Sequence, residues 1–367
     1  MSARSLLIAF WMVVIGWPVS RTLWTLTQSQ PELALGGATL HTGMNVFLTT
    51  TAWAFGVASI SVCLAILPAR WLGALPRIKR SVCVSVLILG LLLPTWAVYY
   101  AWWASSPPGT WIYDTSVELA GVGLVRSVML ATALIAGTWP LAVCCLMPAC
   151  VRWSAGRPEQ MRIDGATAMQ VQRARLRVEW PGLLVGFVLA SILVASWTTA
   201  FDLAGVYTIA NELRARSALG MGLGSLVWTS WPLCVAALCG GGLLWWWMGR
   251  GHCDAAPGDR AVGTNLYGVV LSVIMTVVLV AAPLGLLMAL WWKINAVSDP
   301  GGDLLGPVTR TVLRSAIVGG LAAAIVLGGR SCWNTRVCVF IGVTWVAAAL
   351  VPAPLVGAAV ADAWGGA

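Results

Sequence analysis

Charge is scarce in this sequence. Only 10% of the 367 residues are charged, against roughly 25% in a soluble globular protein, and a water-soluble fold of this size is excluded. Histidine is scarcer still: His41 and His252 are the only two, so neither a His-Glu-x-x-His site nor a two-histidine metal site on one helix can be built. The two lysines, Lys79 and Lys293, precede Arg80 and Ile294. The Gly-Lys-Ser/Thr step of a phosphate-binding loop is therefore missing, and the chain cannot hold ATP in that way. No serine has glycine both two residues before and two residues after it, which removes the nucleophile elbow of the α/β-hydrolases. His252, Cys253 and Asp254 are the residue types of a nucleophilic set, but sequence neighbours do not converge on one point, as a spatially assembled triad must.

Apolar residues fill the space that charge leaves. They make up 59% of the chain, the mean hydropathy is +0.85, and apolar runs repeatedly reach the ~20 residues that span a bilayer core. Nine spans are predicted, at 5–26, 45–68, 81–104, 121–150, 181–204, 219–248, 266–292, 311–330 and 337–361. Each must be helical, because backbone groups in lipid are satisfied only within a helix or a closed barrel. A barrel would show ten-residue alternations instead of continuous runs. The expected fold class is an all-α, polytopic transmembrane helical bundle. The basic start at Arg4 runs into an apolar stretch that continues through Gly16, Trp17 and Pro18 without a small-x-small cleavage site, so 5–26 reads as a first span and not a leader.

The net charge of +9 follows topology; nucleic acid is not implied. With the N-terminus inside, Arg4, Arg70, Arg77, Lys79, Arg80, the arginines of 152–177, Arg250, Arg260, Arg330 and Arg336 fall on one side. That is about 15 of the 22 Lys and Arg, the asymmetry expected of cytoplasmic loops. Glu32, Asp114, Glu118, Asp202, Glu212, Asp299 and Asp303 fall on the other. Arg126, Asp202 and Arg314 lie near predicted outer ends and read as snorkelling to the interface. Most of the ten cysteines sit in apolar runs, where a thiol packs as a small hydrophobe. The 23 tryptophans gather at span ends, as in Trp102-Trp103 and Trp245-Trp246-Trp247, the place of an interfacial belt.

One polar segment stands apart. Residues 151–180 carry six arginines, and within them 159–178 predicts a helix: Met161, Ala168, Val171, Leu176 and Val178 are interleaved with Gln160, Gln170, Gln172, Arg173, Arg175 and Arg177. Two roles fit it. The helix lies along the membrane with arginines toward lipid phosphates, or it docks a partner.

The same residues carry a resemblance. Ala168-Met169-Gln170-Val171-Gln172-Arg173-Ala174-Arg175-Leu176-Arg177-Val178-Glu179-Trp180-Pro181, followed by Gly182-Leu183-Leu184-Val185-Gly186, resembles the cytoplasmic Glu-Ala-Ala loop of ABC-importer permeases. The family pattern is Glu-Ala-Ala, three residues, Gly, nine residues, Ile-x-Leu-Pro. Anchored on Pro181, Val178 takes the isoleucine position, Trp180 the leucine and Ala168 the glycine. Arg162-Ile163-Asp164 then stand where Glu-Ala-Ala belongs, and a two-residue slip brings Asp164-Gly165-Ala166 there. Pro68-Ala69-Arg70, Leu92-Leu93-Pro94-Thr95-Trp96-Ala97 and Thr138-Trp139-Pro140-Leu141 are similar to spans of the iron(III) and thiamine type permeases with two fused halves.

The resemblance implies a type I importer permease fold with no catalytic centre and no cofactor of its own. It implies a first half at 1–249, a cytoplasmic linker at 250–265, and at 266–367 a second half of about three spans. A full repeat would need three more spans and another coupling loop after residue 361. The implied partners are an ABC ATPase subunit, an extracytoplasmic solute-binding protein, a second permease chain and the lipid bilayer of a bacterial inner membrane. Asp164, Gly165, Ala166, Ala168, Met169 and Gln170 are the implied ATPase docking contacts, and Val178, Trp180 and Pro181 close the loop, with Pro181 expected to open the next helix. The other reading is a membrane scaffold or a membrane-embedded enzyme of unknown chemistry.

Overall fold

A computed structural model describes residues 8–9, 11–28, 39–91, 94–154, 157–250 and 266–283, with single positions up to residue 360. Every regular element among the described residues is a helix. They are α1 (Trp17–Gln28), α2 (Thr39–Ala74), α3 (Arg77–Leu91), α4 (Thr95–Ser105), α5 (Trp111–Ser154), α6 (Arg157–Ile163), α7 (Ala168–Ser196), α8 (Thr199–Ala204), α9 (Ile209–Ala218), α10 (Leu223–Arg250) and α11 (Leu266–Thr276). Short π-helical segments precede α1 at Met12–Gly16 and follow α11 at Val277–Ala281.

Four helices, at Gly43–Ala74, Trp111–Trp153, Ala168–Ser196 and Leu223–Leu243, are long and apolar enough to cross a membrane. They coincide with the predicted spans at 45–68, 121–150, 181–204 and 219–248, with shifted ends. In α5 the shift has a visible cause. Gly121 has φ 79 and ψ 152, a conformation that costs glycine little and other residues much. It separates 111–120 from the membrane-length run, which begins where the sequence predicted it. The span predicted at 81–104 is instead split in two. Pro94, with extended backbone, caps α4, as expected of a residue that cannot donate into a preceding turn. The predicted linker after Arg250, the span at 311–330 and nearly all of 337–361 lie outside the described residues.

The register of the bundle follows from three helices. Ser61 of α2 and Thr138 of α5 share a hydrogen bond of 2.7 Å at a separation of 77 positions. Gly73 and Cys150, with the same separation, meet so closely that a Cβ on Gly73 would lie 2.8 Å from the Cys150 Cβ. Thus α2 and α5 run parallel. The chain between them, α3 and α4, has to return from one end of the pair toward the other, which is what the split third span accomplishes. Against α5, α7 runs antiparallel: Gly182 abuts the Cys145 carbonyl and Gly186 abuts Ala142. Small residues four apart let backbones approach, the usual device where lipid offers no hydrophobic drive between helices. The core between them holds Trp139, Leu130, Leu134, Leu146 and Leu72, all almost wholly buried. Trp139 thus belongs to the core, apart from any interfacial belt. Beyond α10, Leu279 and Leu355 join the same core, and the Trp11 indole N–H donates to Thr344 Oγ1 at 2.7 Å.

Two glycines of this bundle should respond oppositely to the same change. A Cβ on Gly182 would sit 2.9 Å from the Cys145 carbonyl oxygen. That oxygen is backbone and cannot swing aside, so overpacking of about 1–3 kcal/mol outweighs the ~1 kcal/mol of helix propensity gained from alanine. Around Gly56 there is nothing within 4 Å. Thermal unfolding in detergent is expected to show Gly182→Ala melting below, and Gly56→Ala at or above, the parent chain.

Candidate functional site

The one fully buried carboxylate among the described residues is Glu179 of α7, with a relative exposure of 0%. Three helices converge on it. Arg70, near the end of α2, donates from Nε at 3.0 and 3.2 Å and from Nη2 at 2.6 Å. Arg175, one turn earlier on α7, donates from Nε at 2.8 Å, and the Cys150 thiol of α5 approaches to 3.6 Å. An isolated charge in this setting would cost several kcal/mol. The forked guanidinium of Arg70 offsets that cost by supplying donors in the plane of the carboxylate. The glycines at 73 and 182 make the site possible, because they bring α2, α5 and α7 close enough for one side chain to touch all three.

Beyond Glu179, α7 continues for 11 residues toward its N-terminus, a distance of about 16 Å along its axis. The 159–178 helix expected from sequence is interrupted here. α6 ends in a Schellman turn: Ala166 N–H donates to the Met161 carbonyl at 2.9 Å and Gly165 N–H to the Arg162 carbonyl at 3.1 Å, with Gly165 at φ 80 as such a turn requires. Thr167 then opens α7 with a capping box, its N–H donating to Gln170 Oε1 at 2.8 Å and its Oγ1 accepting from Gln170 N–H at 3.4 Å. Mixed apolar and polar spacing hid this break. The Asp164-Gly165-Ala166-Thr167 run, a glycine stop followed by an N-cap and a Gln three residues on, was its readable signal.

The turn brings Asp164, Gly165, Ala166, Ala168, Met169 and Gln170 to one protruding end. All but half-buried Ala166 are exposed, with Ile163 at 84% and Met169 at 62%. Gln170 spends its side-chain oxygen on the cap. Val178 is half-buried and Trp180 is exposed on the helix flank. Pro181 does not open a helix: it lies inside α7, and its missing N–H leaves the Arg177 carbonyl without its helical donor.

A second polar network closes the opposite end. Asp202 of α8 pairs with Arg214 and accepts from Asn211 Nδ2 at 2.8 Å, so it is held in a loop network, where sequence had suggested a snorkelling side chain at a span end. Glu212 pairs with Arg216 at 2.7 Å and accepts the Tyr207 hydroxyl at 2.5 Å. Arg216 also donates to Thr229 of α10 at 2.8 Å, and Ile209 N–H donates to Thr50 of α2 at 3.0 Å. Arg70 lies 20 residues after Thr50 on one helix, or ~30 Å, the thickness of a bilayer hydrocarbon core. The two networks thus bracket an apolar slab. Among the described residues no His, Cys, Asp and Glu group could hold a metal, and the cysteines are free.

The Tyr207 ring is about half exposed, but partial desolvation of its hydroxyl, reinforced by the hydrogen bond to Glu212, raises the phenol to about 12 from 10.0. Burial also pushes Glu212 up, but the Tyr207 and Arg216 hydrogen bonds outweigh it and hold the carboxyl below 4.5. The network's contribution to folding is then intact below pH 10.0 and fades as pH rises through about 12. On the acid side it is present above 4.5 and fades as pH falls through the depressed value. A Tyr207→Phe difference titration by absorbance should place Tyr207 near 12, with Glu212→Gln moving it partway back toward 10.0.

At the first site, Glu179→Gln leaves Arg70 and Arg175 facing a neutral amide. It should destabilise by about 3 kcal/mol in detergent unfolding, and Arg70→Met on the same background should restore part of the loss, whereas Cys150→Ser should change little. Neither Glu179 nor Arg70 stood out in the sequence, although the Arg175-to-Glu179 spacing of one turn and the Gly182-xxx-Gly186 pattern both mark this face of α7. Comparison with family models, with curated proteins and with solved structures returns no match for this chain.

Proposed function

We propose that this chain is the membrane-embedded permease subunit of an ABC-type importer, coupling ATP hydrolysis on a separate subunit to solute passage across a bacterial inner membrane. The observation that carries the reading is the continuity of α7. One helix of 29 residues runs from an exposed polar turn into an apolar span, and at the junction Glu179 ties it to α2 through Arg70. Force applied at the turn reaches α2 through the Glu179–Arg70 pair before α7 passes Pro181, where one backbone hydrogen bond of the helix is missing. A long helix tied at the junction to a second span suits force transmission better than simple anchoring.

Charge supports the orientation. Arg70, Arg77, Lys79, Arg80 and the arginines of 152–177 gather at the Glu179 end, whereas Arg214 and Arg216 at the other end are neutralised by Asp202 and Glu212. This asymmetry supports a cytoplasmic Glu179 end under the positive-inside rule, the orientation in which an ATPase subunit would meet the turn. In this reading Ile163 and Met169 are the apolar centre of the docking patch, Ala168 lets the partner approach closely, and Asp164 supplies a charge at the rim. The resemblance further suggests an iron(III) or thiamine-like solute delivered by a separate binding protein.

The test is assembly. With the ATPase subunit co-expressed, Ala168→Trp and Ile163→Asp are expected to cut its co-purification tenfold or more, a loss of about 1.4 kcal/mol or more, with unfolding temperatures unchanged. Undiminished assembly and ATP-driven uptake in both variants overturns the docking assignment.

A further inference from the structure

A crevice of about 230 Å³ opens between α2, α3, α5 and α11. Its floor is Leu72, Leu87 and Trp139, all buried, and its mouth is Val82 and Val86, both exposed on the outer side of α3. Ser272 and Thr276 of α11 complete the far wall; Thr276 turns its hydroxyl to the Ser272 carbonyl at 2.7 Å, so the wall is almost wholly apolar toward the crevice. A slot of this kind, with exposed Val82 and Val86 at its mouth, accepts a hydrocarbon chain once the bundle sits in a bilayer.

The charge at its end narrows the choice of occupant. Lys79 precedes Val82, Cys83 and Val86 by three, four and seven residues and so shares their face of α3, one turn toward the helix start. Arg80 stands in the same relation to Cys83 and Leu87, and Arg77 begins the helix. No carboxylate lies within ion-pair distance of these three cations among the described residues. They sit at the same end as Arg70, close to the level where an acyl chain entering the crevice would place its phosphate.

We infer that this crevice is a binding site for an anionic diacyl phospholipid, its phosphate held by Arg77, Lys79 and Arg80 and one acyl chain lying against Val82, Val86 and Trp139. The inference does not depend on the transport reading; it requires only that the bundle sit in a bilayer. Basic pockets between membrane helices bind acidic headgroups in this way. The apolar slot adds what a bare cationic surface lacks, a reason for one lipid to remain in place.

Native mass spectrometry of the full chain, with phosphatidylglycerol or phosphatidylcholine added in detergent, tests it. The expected result is one phosphatidylglycerol retained under conditions that strip phosphatidylcholine. Replacing Arg77, Lys79 and Arg80 together by glutamine should weaken that retention about tenfold or more. Val86→Trp, which fills the slot at constant charge, should abolish it, while Ile88→Trp, outside the slot, should not. Val82→Trp repeats the filling at the mouth should Val86→Trp fail to fold. Equal retention of the two lipids, or phosphatidylglycerol retention that survives the slot-filling variants, overturns the assignment.

Discussion

Everything at one end of this bundle depends on a carboxylate kept out of water. Glu179 is tolerable in its position only because two guanidinium groups and a thiol surround it, and these arrive from three different helices. Remove the close packing and the charge loses its partners; remove the charge and two partly buried arginines face one another with no anion between them. The ion pairs and the glycine contacts therefore stabilise one another, and neither is meaningful alone. This mutual dependence fixes the depth of α7 relative to α2 and α5, and with it the height at which the polar turn stands clear of the apolar slab.

The remaining architecture can be read as the consequence of holding two polar layers ~30 Å apart along α2. Between the layers, polar side chains turn inward or back onto their own helices: Ser61 and Thr138 bond one another, and Thr138 and Ser191 also reach the carbonyls four residues earlier. At the layers, ion pairs gather. The Asp202 and Glu212 network lies in short helices outside the apolar run, where water screens it and its charges cost less than Glu179 does. The two ends accordingly differ in kind: one is a solvated cap, the other a buried clamp continuous with an exposed polar turn.

The helical class and four of the long helices were legible in sequence because bilayer thickness imposes a length that no other constraint mimics. The start of the long run in α5 was legible to within a residue, since glycine at 121 breaks the helix where the apolar stretch begins. Hydropathy could not find the split at Pro94, because an apolar window reads the same across a break. Nor could it find the ends of α7: the arginines of 173–177 lower the window average, although the backbone passes through them without interruption. Glu179 was invisible for a related reason. A carboxylate beside three arginines reads as part of a solvated loop, and only the partner on α2, 109 residues earlier, reveals that it is buried.

The shared offset between α2 and α5 has a consequence for how this sequence can change. Because one helix residue turns about 100°, inserting or deleting a single residue between Ser61 and Gly73 would rotate one of the two contacts more than a quarter turn away from its partner while leaving the other intact. Length variation in this stretch is thus forbidden to single steps, and any lineage of such chains should keep the spacing of these two positions even where the side chains between them drift.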